Sequence, residues 1–247
     1  WDGGWYVRCF DDNGRPVGSK KNEQGKIFLE AQTWALISGI ADPQRASEVI
    51  AACDEQLRTE LGYALLAPTF TRRDDNIGRI SCLEPGVCEN GTIYSHVNAW
   101  MILGLLRNHR PDKAFETLRR IMPGYVRGED DPKNNCPPYM FANCYYGADH
   151  RNNKMQMEFT WITGSLAWYN HLLLNYLLGA RAEYEGLRID PCIPPEWEQC
   201  EVERCYRGTV YHITIKNPDH KGYGSIGLTV DGKAADGNLA PDFSDGG

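Results

Sequence analysis

The stretch Glu84-Pro85-Gly86-Val87-Cys88-Glu89-Asn90-Gly91-Thr92-Ile93-Tyr94-Ser95-His96 sets a carboxylate and an imidazole just ahead of an expected helix. A carboxylate at Glu89 accepts hydrogen bonds from sugar hydroxyls, and an imidazole at His96 donates to an anion or a hydroxyl. A second stretch, Thr160-Trp161-Ile162-Thr163-Gly164-Ser165, offers a hydroxyl and free backbone N–H groups at a helix start, which together make a seat for an anion. The aromatics Trp1, Trp5, Tyr6, Tyr139, Phe141, Tyr145 and Tyr146 fall in segments that read as loop, where flat faces suit sugar rings. The same residues also read as ordinary structure: Glu89 as a solvated loop charge, His96 as a core histidine, Thr163 as a helix cap, the aromatics as packing. Cys88 has no activating His beside it and reads as filler rather than a nucleophile. Gly222 and Gly224 lie between strands and form no phosphate loop.

The elements that must position these groups follow from the apolar pattern. Ile27 to Ile40 has helical spacing, with Ile27, Phe28, Ala31, Trp34, Ala35 and Ile37 near one face. Asp42-Pro43 ends it and opens a second helix to about Leu61, with Asp42 as N-cap. Residues 62–94 read as loop, Ser95 to Asn108 as a third helix, and Pro111 to about Met122 as a fourth. Residues 123–158 read as a long polar, aromatic loop. A fifth helix covers Thr163 to Leu178 and stops at Gly179. After Tyr184 the character changes: 202–206, 209–216 and 225–230 read as strands, with Tyr211, Ile213 and Ile215 alternating against polar neighbours. Helical hairpins joined by long loops suggest a toroid whose loops 1–26, 79–98 and 136–164 converge on a cleft. No internal repeat supports a regular solenoid.

Composition narrows the function classes. The chain has 247 residues, 42% hydrophobic and 24% charged, as in an ordinary globular protein. No apolar run approaches the roughly 18 residues needed to cross a bilayer. A net charge of −7 disfavours a general binder of nucleic acid or of anionic membranes. Nine cysteines at irregular spacing, with no CxxC pair, read as reduced thiols of a cytoplasmic protein, not as a zinc site or a disulfide scaffold. Asn90-Gly91-Thr92 fits a glycosylation sequon of the kind that arises by chance.

Several stretches, in order, resemble the C-terminal part of the inverting disaccharide phosphorylases of glycoside hydrolase family 94. They are Trp1-Asp2-Gly3-Gly4-Trp5-Tyr6-Val7-Arg8, Asp12-Asn13-Gly14-Arg15-Pro16-Val17-Gly18-Ser19 and Ile27-Phe28-Leu29-Glu30-Ala31-Gln32-Thr33-Trp34. Further on come Pro85-Gly86-Val87-Cys88-Glu89-Asn90-Gly91, Tyr94-Ser95-His96, Thr160-Trp161-Ile162-Thr163-Gly164 and Gly186-Leu187-Arg188-Ile189-Asp190-Pro191-Cys192-Ile193-Pro194. The resemblance implies a mainly α chain: the later half of an (α/α)6 barrel over residues 1–185, then an antiparallel β-sandwich over 186–247. It implies reversible cleavage of a β-linked disaccharide by inorganic phosphate, with inversion, giving an α-sugar 1-phosphate. Phosphate is then a co-substrate, and no cofactor or metal is expected.

By the same resemblance, His96, Thr163 and Gly164 hold phosphate, and Glu89, Cys88, Tyr139 and Asn143 line the sugar site. Cellobiose phosphorylases carry Lys where this chain has Cys88, which argues against cellobiose as substrate. The family's general acid is an Asp in an Asp-Trp-Asn-Asp-like segment upstream of the matched region. No such segment occurs here, so no catalytic residue is expected in this chain and the N-terminal remainder of the same enzyme is its first partner. A homodimer is a further implied partner state; nucleic acid and membrane are not. Two other readings stand beside this one: an inverting hydrolase with Glu89 as base, and a non-catalytic sugar-binding or terminal module of a cyclic-glucan synthase.

Overall fold

A computed structural model describes residues 1–122, 137, 140–159, 163–224 and 227–243. Five α-helices occur among them: α1 (Leu29–Ser38), α2 (Pro43–Gln56), α3 (Ser95–Arg107), α4 (Pro111–Ile121) and α5 (Ser165–Leu172). Their ends follow local chemistry. The α2 start is capped by Asp42, whose Oδ1 accepts the Arg45 N–H at 2.9 Å, with Pro43 in the first turn. Gly39, at φ 74°, closes α1 in the left-handed region. The α5 helix gives way to one π-helical turn, Leu173–Leu177, before Gly179.

The central element is α3. It buries Val97, Ala99, Met101, Ile102, Leu105 and Leu106, covering nearly its whole circumference, as a helix enclosed on all sides must. Helix α1 lies along it in the same direction, with Trp34 against Trp100 and Leu36 against Gly104. Apolar side chains of α2 and α4, among them Val49, Cys53 and Leu118, complete the main core.

The expected fold class is corrected by this architecture. Among the described residues about 30% are helical and 20% are in strands, in small antiparallel sheets; the chain is not mainly α, and no (α/α)6 barrel is present. The connections read as loop instead pair into very short strands. Ile27–Phe28 pairs with Leu66–Ala67, and Ile93–Tyr94 pairs with Cys144–Tyr145, which pairs with Met157–Phe159. Each strand of two or three residues is too short to show a period of two, which is why the sequence pattern misses it. Two of them, 27–28 and 93–94, run directly into the starts of α1 and α3.

In place of an expected sandwich there is a three-stranded sheet (Ala180–Ala182, Leu187–Ile189, Leu239–Ala240) and a hairpin (Gln199–Tyr206, Thr209–Lys216). The hairpin turns through Arg207 and Gly208, both at positive φ, as a two-residue turn between right-twisted strands requires. Its expected alternation is present: Tyr211 and Ile215 are buried while His212 and Thr214 are exposed. Tyr206 and Tyr211 join Leu187, Ile189 and Ala240 in a second small core. The expected strand at 225–230 is found as Thr229–Val230, with 225–226 outside the described residues.

Candidate functional site

The starts of α1, α3 and α5 lie at one end of the helical layer. Trp100 of α3 meets Trp34 of α1 at a ring-centroid distance of 5.2 Å and Trp168 of α5 at 5.9 Å. The Tyr169 hydroxyl donates to the Ser95 carbonyl at 2.9 Å, tying α5 to the first residue of α3.

His96 occupies the second position of α3. It is half-buried between Tyr94 and Trp100, at centroid distances of 5.2 and 5.1 Å. Burial holds its pKa below the ordinary imidazole value, so at neutral pH the ring is uncharged and offers one N–H. Thr163 and Gly164 immediately precede α5. The Ser165 N–H donates to Thr163 Oγ1 at 3.1 Å, and the two hydroxyls share a short hydrogen bond. A Cβ on Gly164 would meet nothing within 4 Å, so open space lies beside this helix start. Thus His96 and the Thr163-Gly164 pair stand at the neighbouring N-termini of α3 and α5, where backbone N–H groups and helix dipoles favour negative charge.

The Cys88-Glu89 loop is held by close backbone packing. Gly147 N donates to Gly86 O at 2.9 Å, and a Cβ on Gly147 would lie 2.2 Å from Gly91 O. Asn90 is fully buried and bonds the Phe70 N–H and the Phe70 and Leu83 carbonyls, so in the folded chain the sequon is inaccessible. Glu158, on the 157–159 strand, accepts the Cys88 N–H at 3.2 Å and the thiols of Cys88 and Cys144 at 3.4 and 3.2 Å. Burial, then the Glu158 carboxylate, pushes the Cys88 pKa up to about 11, from an ordinary 9.0. This agrees with an unreactive thiol. At pH 7.5, alkylation of Cys88 is expected to lag an unperturbed thiol by about 100-fold, while exposed Cys9, Cys82 and Cys205 react first. Peptide mapping of the labelled chain reads this directly; equal labelling of Cys88 and Cys82 would contradict it.

Glu89 is partly buried. Its Oε2 has no hydrogen-bond donor, and the nearest cation is the Arg79 guanidinium at 3.6 Å. The Asn143 backbone bridges elements, its carbonyl accepting the Ser95 N–H at 3.0 Å and its N–H donating to Phe159 O at 2.9 Å. Tyr139 and residues 160–162 lie outside the described residues.

The loop aromatics prove to be packing for the most part. The Trp5 indole N–H bonds the Gly18 and Lys26 carbonyls, Phe141 stacks on Tyr169 at 4.1 Å, and Tyr146 stacks on His150 at 4.3 Å. The rings in contact with His96 are Tyr94 and Trp100, and Trp100 in turn meets Trp34 of α1 and Trp168 of α5. Sequence reasoning also passed over Glu30, in the first turn of α1, and Glu158. An available signal was the parallel spacing Glu30/Trp34 and His96/Trp100, each i,i+4 and so on one helix face. Among the described residues no group of three or more His, Cys, Asp or Glu could hold a metal ion.

The chain is 38% identical to solabiose phosphorylase of Paenibacillus borealis over all of its own length and 32% of that protein. It is 39% identical to the 3-O-beta-D-glucopyranosyl-beta-D-glucuronide phosphorylase of the same organism, over 95% of this chain and 30% of that one. It therefore spans about a third of the length of the curated relatives it matches. A solved sialidase shares the fold at a TM-score of 0.54 and 16% identity, over 85% of this chain and 19% of that one. The profile of the glycosyl hydrolase 94 superfamily catalytic domain matches residues 1–179. With most of its length under that match, the chain belongs to the glycosyl hydrolase 94 superfamily, as part of its catalytic domain.

Proposed function

We propose that this chain is the portion of an inverting disaccharide phosphorylase that seats inorganic phosphate and the leaving sugar. The observation that supports the reading is the joining of α3, which starts with Ser95-His96, to α5, which follows Thr163-Gly164, by the Tyr169 hydroxyl on the Ser95 carbonyl. In the reaction a phosphate oxygen bonds to the anomeric carbon from the face opposite the glycosidic oxygen. The carbon–oxygen bond to the second sugar breaks, and a general acid on sequence outside this chain protonates the departing oxygen. Inversion then gives an α-sugar 1-phosphate. His96 and the α5 start neutralise phosphate charge, while Glu89, Cys88, Tyr139 and Asn143 border the sugar. Phosphate enters as co-substrate, and the chemistry calls for no cofactor.

Names of relatives tie the same family to more than one disaccharide, so the linkage is left to experiment. The eight described cysteines are all free, in keeping with a cytoplasmic, reducing setting. No helix of the described residues is long and apolar enough to cross a membrane.

The test uses the longest native polypeptide containing this chain, incubated with phosphate and a panel of β-linked disaccharides and followed by phosphorus NMR. A new α-sugar 1-phosphate signal is expected. Sugar release with an unchanged phosphate signal would make the protein a hydrolase, and sugar binding without turnover on any substrate would make it a binding module.

A further inference from the structure

The loop that carries Glu89 holds the residue before it in a rare conformation. Cys88 sits at φ 47°, in the left-handed region, where a residue with a Cβ stays only when its surroundings hold it there. Both peptide groups that flank it are held. The Cys88 N–H donates to the two oxygens of the Glu158 carboxylate, at 3.2 Å each, and its thiol donates to Glu158 Oε1 at 3.4 Å. The Cys88 carbonyl accepts the Thr92 hydroxyl and, at 3.4 Å, the Thr92 N–H. Peptide groups are planar, so fixing one on each side of Cys88 fixes the direction in which the next side chain, Glu89, leaves the backbone.

Glu158 makes these bonds from a strand that does not depend on its side chain. Residues 157–159 are held by backbone pairing: Asn143 N donates to Phe159 O and Tyr146 N to Gln156 O, each at 2.9 Å. The carboxylate instead reaches out of the sheet to the loop, and on the way accepts the thiol of Cys144 at 3.2 Å. We propose that Glu158 is a positioning residue that, through the backbone of Cys88, aims the Glu89 carboxylate at the sugar. This rests on the sugar site of the proposed function and adds to it a residue that acts through another. Two properties of Glu158 are separable by substitution. Its oxygens accept the Cys88 N–H, which a glutamine oxygen also does. Its charge, second to burial, holds the Cys88 thiol protonated, and glutamine lacks that charge.

The test uses the intact enzyme. Phosphate release is read from the 1-phosphates of α-D-glucose and N-acetyl-α-D-glucosamine, with D-glucose, D-galactose, N-acetyl-D-glucosamine and D-glucuronate as acceptors. Glu158→Ala is expected to raise KM for the acceptor that works best by at least about 10-fold, as misplacement of a binding group does. In the phosphorolytic direction the same variant is expected to keep KM for phosphate within about 2-fold of wild type. Glu158→Gln is expected to keep the acceptor KM within about 3-fold, since its amide oxygen takes the Cys88 N–H. In that variant Cys88 is expected to alkylate several-fold faster, because the charge that opposes the thiolate is gone. If Glu158→Ala does not fold, Glu158→Asp, one methylene shorter, gives the acceptor reading. An unchanged acceptor KM in Glu158→Ala, an equal rise in KM for phosphate, no restoration by Glu158→Gln, or unchanged alkylation of Cys88 in Glu158→Gln overturns the proposal. Absence of phosphate release from every pairing in the wild type overturns the phosphorylase reading instead. Titration calorimetry with the same acceptors, which needs no turnover, then decides on Glu158: an affinity about 10-fold weaker in Glu158→Ala supports its role, and an unchanged or undetectable affinity overturns it.

Discussion

Replacing His96 with alanine in the intact enzyme is expected to lower kcat/KM for phosphate by about 10²–10³, the usual effect of removing one preorganised donor to a developing or bound oxyanion. Thr163→Ala, which removes one hydroxyl and leaves the α5 backbone in place, is expected to cost about 10-fold. The two differ because His96 is half-buried between Tyr94 and Trp100, where water substitutes poorly for the lost N–H, while open space borders Gly164. The pH dependence has a definite sign. Burial keeps the free imidazole neutral above its lowered pKa, and a dianion seated against it favours the protonated ring. Phosphate binding therefore takes up protons: phosphate's own ionisation lowers KM as pH rises by supplying dianion, and the ring adds an excess upward trend in KM referred to the dianion. His96→Ala is expected to remove that excess. Initial rates against phosphate concentration from pH 6 to 9 give both readings, and unchanged phosphate kinetics in both variants would place the anion seat elsewhere.

Helix starts were the most legible features of the sequence because they are written locally. Asp42-Pro43 and Pro111 mark the starts of α2 and α4 with residues whose backbone or side-chain chemistry belongs there. The strands that feed α1 and α3 were illegible for the opposite reason. Phe28 pairs with Leu66, and Tyr94 with Cys144, partners far apart in sequence whose two-residue ladders leave no periodic trace. That is why the fold class was misjudged while most helix positions were found. At the site, the search for sugar-facing aromatics looked to loops, yet Trp34, an α1 residue assigned to the apolar face, is 45% exposed beside Trp100. The open face of α1 itself carries a large aromatic, and α3 is buried on nearly all sides, so neither helix shows an apolar stripe that separates core from cleft.

Asn98→Leu is expected to be among the most destabilising single changes in the chain, at about 3–5 kcal/mol. Asn98 is fully buried on α3 and spends its amide on three backbone groups. Oδ1 accepts the Tyr63 N–H at 2.8 Å, and Nδ2 donates to the Tyr63 and Tyr94 carbonyls at 3.0 and 2.9 Å. Leucine fills similar volume and satisfies none of them, at about 1–3 kcal/mol for each buried group left unpaired. Relaxation is restricted, since a Cβ on the adjoining Gly62 would already lie 2.5 Å from Asn98 Oδ1. The contrast is Asn108→Leu: that side chain is part-buried and donates to Gly104 O at 2.8 Å and weakly to Leu36 O at 3.4 Å, so about 1 kcal/mol is expected. Hydrogen exchange at the Tyr63 amide reads the difference locally, with an acceleration of at least about 100-fold for Asn98→Leu and little for Asn108→Leu. Because Tyr94 is the N-cap of α3 and precedes Ser95-His96, loosening its carbonyl also loosens the start of the helix that carries the imidazole. The same substitution is therefore expected to weaken phosphate use without touching any group that meets phosphate. Protection of Tyr63 equal to wild type would show that the three bonds are dispensable and that something other than Asn98 fixes the start of α3.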